Sequence, residues 1–315
     1  MRIRLITPAG PSDRNGNSIT ALRWARILQK LGHRVSVDEK YRGEACDLLI
    51  ALHARKSADS IRLFKKQYPD LPLVVALTGT DLYRDIRTSA AAKQSLEMAH
   101  RLVVLQAMGL AELPRRLRRK TRVIYQSASR VHGPTRRDNI FKVCVIGHLR
   151  AEKDPLRTAL AARSLPASSK IQVVHVGRAM NEEIGTRARA EAARNPRYRR
   201  LGELPHWKTR RLLAGSHLLS LTSRMEGSAN VLSEAIASSV PVVASKIPGL
   251  IGTLGKNYPG YFPVGSTRAL ARLLRRVESD PHLYRELKTH CARLRPLADP
   301  KRERAAWKKL LSELS

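Results

Sequence analysis

At 315 residues with 43% apolar content, the chain is too long for one comfortable hydrophobic core and too short for three, so two domains of ordinary size are expected. No apolar run reaches the roughly eighteen residues of a membrane-spanning helix, and Cys46, Cys144 and Cys291 are too scattered for a zinc site or a disulfide scaffold, which fits a reducing, cytoplasmic setting. The net charge of +33 would suit nucleic acid or anionic lipid, but it is spread along the chain, aromatics make up only 4%, and no nucleic-acid-binding signature is present. No nucleic-acid partner is therefore expected, and the positive field is read as one that draws phosphate-bearing substrates into a cleft.

Arg2 to Pro8 reads as a buried strand, entered directly without the apolar core and cleavage site of a secretory leader. A Gly/Ser/Asn loop through Ser18 follows. Ile19, Leu22, Ala25, Leu28 and Leu31 then recur at helical spacing until Gly32 ends the helix. Strands are expected at His33 to Val37 and Asp47 to Leu52, a helix from about Ser57 to Gln67, and a strand at Leu73 to Leu77. Two further helices, with strands at Leu102 to Leu105 and Val123 to Tyr125, complete the first half. Alternation of this kind predicts a parallel sheet wrapped by helices on both faces.

Ser127 to Asn139 lacks periodicity and carries Gly133 and Pro134, which marks it as a linker. The pattern restarts with a strand at Phe141 to Ile146, a helix at Pro155 to Arg163, and strands at Ile171 to Val176 and Leu218 to Thr222. A helix around Glu234 and a strand at Pro241 to Ala244 come next, and a basic helix carrying Trp307 follows Pro300. The expected architecture is α/β: a Rossmann-like domain over 1–138, a second over 139–299, and a closing helix over 300–315. In open parallel sheets ligands bind outside the carboxyl ends of the strands, so the loops after each strand are the ones to inspect.

The strongest is Glu226-Gly-Ser-Ala-Asn-Val-Leu-Ser-Glu234, which follows a strand and opens a helix. Gly227 and Ser228 are expected to form a compact turn with Ser228 as N-cap. The amides of Ala229, Asn230 and Val231 then sit at the positive end of the helix, a ready site for a diphosphate. Glu226 before the helix and Glu234 within it can each accept from a pair of hydroxyls, one on a sugar and one on a ribose. Two glutamates at this spacing are usually solvated; the strand before, the Gly-Ser turn, and the strand Pro241-Val-Val-Ala-Ser after them favour a site.

This E-x7-E segment, followed by "AIASSVPVVAS", resembles the donor site of the GT-B glycosyltransferases of family 4, and the resemblance covers nearly the whole chain. It implies a GT-B architecture, two Rossmann-like domains whose parallel sheets face across a cleft, with the closing helix crossing back to the N-terminal domain. It implies that Glu226 contacts the transferred sugar of a UDP-sugar and that Glu234 grips the ribose. Gly147-His-Leu-Arg-Ala-Glu-Lys153 is similar to the family's basic diphosphate loop: Lys153 matches, His148 stands where an arginine is usual, and Arg150 can supply the missing cation. His175-Val-Gly177-Arg178 and Leu201-Gly-Glu-Leu204 resemble the turns that hold uracil by backbone contacts. No carboxylate pair for a metal is evident, so Lys153 and the helix start are expected to neutralise the leaving diphosphate without Mg²⁺ or any other cofactor.

The first half should hold the acceptor. Gly16, Asn17 and Ser18 lie between the first strand and its helix, where their amides either face the cleft or merely close the turn. Leu77-Thr-Gly-Thr-Asp-Leu-Tyr83 resembles the family's His-Gly-Thr-Asp loop with Thr78 in place of the histidine; Asp81 reads as a cap for the next helix. His53, Arg55 and Lys56, directly after a buried strand, offer up to three cationic donors for a small oxyanion.

The segments "TPAGPSDRNGNSITA", "LHARKS", "LTGTDLY" and "EGSANVLSEA" together look closest to the selenosugar synthases of selenoneine biosynthesis, a GT-B branch. That resemblance implies a UDP-N-acetylglucosamine or UDP-glucose donor, selenophosphate as acceptor, and formation of a C–Se bond. The residues alone support a nucleotide-sugar site and a cation supply for a phosphate-like acceptor. Three alternatives stay open: a conventional family 4 enzyme building a cell-envelope glycan or lipid, a UDP-sugar epimerase, and a nucleic-acid-binding protein.

Overall fold

The structure is a computed structural model that describes residues 1–8, 10, 15–135 and 139–314. Parts of two sequence expectations lie outside the described residues: positions 9 and 11–14 of the first loop, and positions 136–138 of the linker. The chain forms two compact units.

The first unit comprises Met1–Ser127 together with Glu226–Asn230 and Asp299–Ser315. Its strands are β1 (Arg2–Ile6), β2 (Arg34–Asp38), β3 (Leu48–Leu52), β4 (Leu73–Leu77), β5 (Arg101–Val104) and β6 (Thr121–Val123). All pair in parallel, in the order β2-β1-β3-β4-β5-β6. Every residue of β3 and β4 is buried, as both-faced coverage of a parallel sheet requires. The period of two sorts them. Leu49, Ala51, Leu73, Val75 and Leu77 pack with Ile61 and Phe64 of the helix Ala58–Gln67. Leu48, Ile50, Leu52, Val74 and Ala76 pack with Trp24 and Leu28 of the helix Gly16–Lys30 and with Trp307 of the helix Pro300–Ser312. Trp24 and Trp307 meet edge to face, their centroids 4.8 Å apart.

The second unit comprises Ala128–Met225 and Val231–Ala298. The expected boundary at 138/139 abuts residues outside the description, and the division by packing falls between Ser127 and Ala128. The strands are β7 (Phe141–Ile146), β8 (Ile171–Val176), β9 (Tyr198–Arg200), β10 (Leu218–Leu221), β11 (Val242–Ser245) and β12 (Tyr261–Phe262), parallel in the order β12-β11-β10-β7-β8-β9. The edge strands β9 and β12 have no counterpart in the sequence reading: one is three residues with two arginines, the other only two residues, and neither holds a readable period. On the helix Thr267–Ser279, Leu270, Leu273, Leu274 and Val277 turn inward while Arg268, Arg272, Arg275 and Arg276 stand exposed, so part of the large charge is a solvated helix face.

Each sheet has one point where the strand order reverses. In the first unit it lies between β1 and β3, in the second between β7 and β10. The loops leaving those four strands are where ligands of such sheets bind.

Candidate functional site

In the second unit the loops after β7 and β10 are tied together. Thr222, one residue past β10, donates its Oγ1 to the carbonyls of Lys153 and Asp154, both at 2.9 Å. The Arg224 amide donates to the Glu152 carbonyl at 2.8 Å. The turn Ala151–Lys153 is thereby held at the switch point. The half-buried Lys153 runs its stem past Gly147, its Cδ 3.9 Å from where a Cβ on that glycine would stand. Arg150 opens the turn and is exposed.

The loops after β7 and β8 form one hydrogen-bonded assembly. The Leu149 amide donates to the Arg178 carbonyl (2.9 Å) and the Met180 amide to the Leu149 carbonyl (3.1 Å). The Arg178 amide reaches His148 Nδ1 at 3.3 Å. His148 thus steadies the neighbouring turn, and Lys153 and Arg150 are the cations of the loop. A Cβ on Gly177 would come within 2.0 Å of the Gly147 carbonyl oxygen, so the approach of the two loops admits only glycine there. Beneath them lies His175. Its Nε2 is 3.2 Å from the Gly147 carbonyl and its Nδ1 2.9 Å from the Tyr198 hydroxyl. A carbonyl only accepts, so Nε2 carries the proton. Burial pushes the His175 pKa down to about 4 and keeps the ring neutral.

The helix after β10 runs Asn230–Ala237. This corrects the expected cap: Ala229, not Ser228, occupies the position before the helix, because the Gly-Ser turn is followed by one more non-helical residue. The amides of Asn230 and Val231 are in the first turn, where no intrahelical acceptor exists. Glu226, Ser228 and Glu234 are all buried, Glu226 at 8% and Glu234 at 7% exposure. His206, first residue of the helix His206–Ala214 and two residues beyond Leu204, places its Nε2 at 2.7 Å from Glu234 Oε1. Nothing in the sequence near either residue signals this pair, 28 positions apart.

In the first unit, Gly227 lies against the backbone of the loop after β4. A Cβ there would stand 2.3 Å from the Thr78 carbonyl oxygen and 2.8 Å from the Gly79 nitrogen. Asn230 accepts from Arg23 Nη1 (2.6 Å) and donates to the Gly16 carbonyl (3.0 Å) and Thr20 Oγ1 (3.1 Å). Arg23 in turn pairs through Nε with the buried Glu303 at 3.0 Å; Trp24 Nε1 (2.8 Å), the Ser127 amide (2.9 Å) and the Ser127 hydroxyl also donate to that carboxylate.

The expected loop amides of Gly16, Asn17 and Ser18 need correction. All three residues belong to the first turn of the helix Gly16–Lys30, and the amides of Asn17 (2.9 Å) and Ser18 (3.1 Å) donate to Asn15 Oδ1 in a capping box. Asn15 is the N-cap, and its side chain takes up those two donors. What Gly16 presents to Asn230 is its carbonyl.

The trio after β3 is also changed by its surroundings. His53, buried and at φ 72, has Nε2 3.0 Å from Thr80 Oγ1, while its Nδ1 accepts from the Lys56 amide at 3.3 Å. Burial lowers its pKa, an effect that Asp81 only partly opposes, so His53 is a neutral donor rather than a cation. Arg55 Nε is paired to the buried Asp85 at 2.8 Å, and Arg84 Nε to the same carboxylate at 3.1 Å. Burial raises the Asp85 pKa, but the hydrogen bonds from Arg55 and Arg84 outweigh it and hold the carboxylate below its usual value. Lys56 is exposed. Asp81 accepts from the amides of Thr78 and Gly79 (2.9 Å each) and Ala54 (3.0 Å), so it joins the loops after β3 and β4 instead of capping a helix. His53 is thus a non-glycine residue held at positive φ at a strand end, a conformation that costs energy and that the surrounding loop contacts maintain.

Among the described residues, no group of three or more His, Cys, Asp or Glu side chains could hold a metal ion, and no helix is long and apolar enough to cross a membrane.

Residues 131–293, just over half of the chain, match the family described as Glycosyl transferases group 1. Among solved structures, Alr3699/HepE of Anabaena, in complex with UDP, is similar with a TM-score of 0.77 and 16% identity, covering 99% of this chain and 100% of that one. The sucrose-phosphate synthase tll1590 of Thermosynechococcus elongatus gives 0.81 and 17%, covering 100% and 99%. A glycosyltransferase of Rickettsia africae gives 0.76 and 14%, covering 99% and 98%. The protein, with its two α/β units each built on a six-stranded parallel sheet, has the GT-B fold and belongs to the group 1 glycosyl transferases.

Proposed function

We propose that the enzyme moves a sugar from UDP-N-acetylglucosamine or UDP-glucose to selenophosphate. The selenium forms a bond to the anomeric carbon as that carbon's bond to the diphosphate oxygen breaks, and UDP leaves with the electron pair. The observation that carries the donor half is the joining of the basic loop 147–153 to the end of β10 at the switch point of the second sheet. That loop carries the cations Lys153 and Arg150, and a departing diphosphate demands positive charge. The complexes of Anabaena Alr3699/HepE with UDP and with UDP-glucose support a uridine diphosphate donor.

In this reading Lys153, Arg150 and the amides of Ala229, Asn230 and Val231 stabilise the diphosphate, Glu226 orients the sugar, and Glu234 the ribose. Gly147 belongs to the loop that receives the diphosphate, and Gly177, Arg178 and Leu204 shape the seat of the uracil. Lys56, Arg55 and the neutral His53 receive the acceptor phosphate beside the switch point of the first sheet, with Thr78 in the neighbouring loop after β4. The acceptor is already anionic and its selenium is a soft nucleophile, so positioning replaces a strong general base. No divalent metal is needed, and turnover should persist in EDTA.

The test is incubation with each UDP-sugar and selenophosphate, followed by mass spectrometry. UDP release with a selenium-bearing sugar product is expected. Transfer to lipid extracts without any selenophosphate-dependent UDP release would replace this acceptor with a glycan or lipid. Conversion of UDP-N-acetylglucosamine with no acceptor present would make the protein an epimerase.

A further inference from the structure

We propose that His206 is a positioning residue that holds the Glu234 carboxylate for ribose and so sets discrimination at the sugar of the nucleotide. The inference rests on the assignment of Glu234 to the ribose. A glutamate has three rotatable side-chain bonds, and ordering it at the moment of binding costs affinity. Here it is ordered beforehand. His206 Nε2 lies 2.7 Å from Glu234 Oε1, in the range of charge-assisted bonds, and among the described residues it is the hydrogen-bond partner of that side chain. A carboxylate only accepts, so Nε2 carries the proton.

The acceptor arithmetic leaves room for a ligand. One lone-pair direction of Oε1 is used, while Oε2 and the other direction of Oε1 stay open for two hydroxyl donors. The Glu234 side chain is 9% exposed, whereas the His206 ring is 49% exposed. An ordinary surface pair would leave both partners in solvent and contribute little. Here the carboxylate is the sequestered partner and the imidazole the brace.

Topology explains how they meet. The helix bearing His206 follows β9 and the helix bearing Glu234 follows β10, and β7 and β8 lie between those two strands in the sheet. Those intervening strands end in the basic loop and in the turn at Gly177. The two helix starts therefore bracket the loops assigned to the diphosphate and the base.

Calorimetric titration with UDP and with 2′,3′-dideoxy-UDP tests the idea. The intact protein should prefer UDP. His206→Ala should weaken UDP about fivefold, the loss of one hydrogen bond, and leave the dideoxy analogue unchanged. His206→Gln, which keeps a donor, should restore most of the preference, with thermal melts confirming that both variants fold. A His206→Ala variant that keeps the full preference, or that weakens both nucleotides equally, overturns the proposal. Glu234→Ala separates the two levels. If it abolishes the preference while His206→Ala does not, only the role of His206 fails. If it keeps the preference, the ribose assignment itself is wrong and the role of His206 falls with it.

Discussion

At the residue scale, two cations that look alike in the sequence have different surroundings. Lys153 lies beside Gly147, in a turn anchored to Thr222, whereas Arg55 has its Nε committed to the buried Asp85. On the proposed roles, Lys153→Ala should lower turnover about a hundredfold with any acceptor, by removing the charge assigned to the leaving group. On the same proposal, Arg55→Ala should mainly raise the KM for selenophosphate, at least about tenfold, the loss of one charge-assisted hydrogen bond. Equal changes in UDP affinity by calorimetry for both variants would refute this division. His175 supplies a pH dependence. Its pKa is lowered from 6.5 to about 4 by burial, so the unfolded chain takes up a proton first as pH falls. Stability should therefore decline between pH 6.5 and about 4, by roughly 1.4 kcal/mol per pH unit and about 3 kcal/mol in all. Urea melts across that window should show a shallower slope for His175→Gln.

At the element scale, the segment 226–230 is constrained at Gly227, which lies against the backbone of the loop after β4. Gly227→Ala would drive a methyl group into the Thr78 carbonyl, a backbone atom that cannot step aside. A loss of about 1–3 kcal/mol is expected, with weakened UDP binding, by thermal melts and calorimetry. The helix Pro300–Ser312 offers a second test. Glu303 is 1% exposed and gathers donors from Arg23, Trp24 and Ser127, while Arg23 Nη2 is already buried without a partner. Glu303→Ala would strand a guanidinium and cost about 3 kcal/mol in urea unfolding, because an unpaired buried charge remains. Glu303→Gln should lose less. The long apolar runs β3 and β4 were legible beforehand, since a strand covered on both faces is apolar at every position. The start of the helix at Gly16 was not, because glycine and asparagine suit a loop and a first turn equally well.

At the scale of the whole molecule, the charge of +33 is the dominant sequence feature, and the structure shows how much of it is spent locally. Arg101 and Arg122 pair with Glu313, whose carboxyl is held down at about 2 by hydrogen bonds from Arg122 first and then Arg101. Lys120 donates to backbone carbonyls. The remaining exposed arginines produce a field, so kcat/KM for a UDP-sugar should fall as salt rises from 20 mM to 300 mM, where the Debye length shrinks below about 10 Å. A rate indifferent to salt would show that the field does not steer the substrate.

By itself the sequence determined the α/β alternation, the GT-B resemblance, and the strand–turn–helix setting of the segment from Glu226 to Glu234. Those depend on local period and on contiguous spacing, which a chain carries in one dimension. Only the tertiary structure decided that His53 is neutral, that Asp85 claims Arg55, that Asn15 takes the amides of Asn17 and Ser18, and that His206 pairs with Glu234. Protonation and hydrogen-bond ownership are set by burial and by partners brought from distant strands, and no sequence spacing encodes which of several nearby donors a carboxylate will accept.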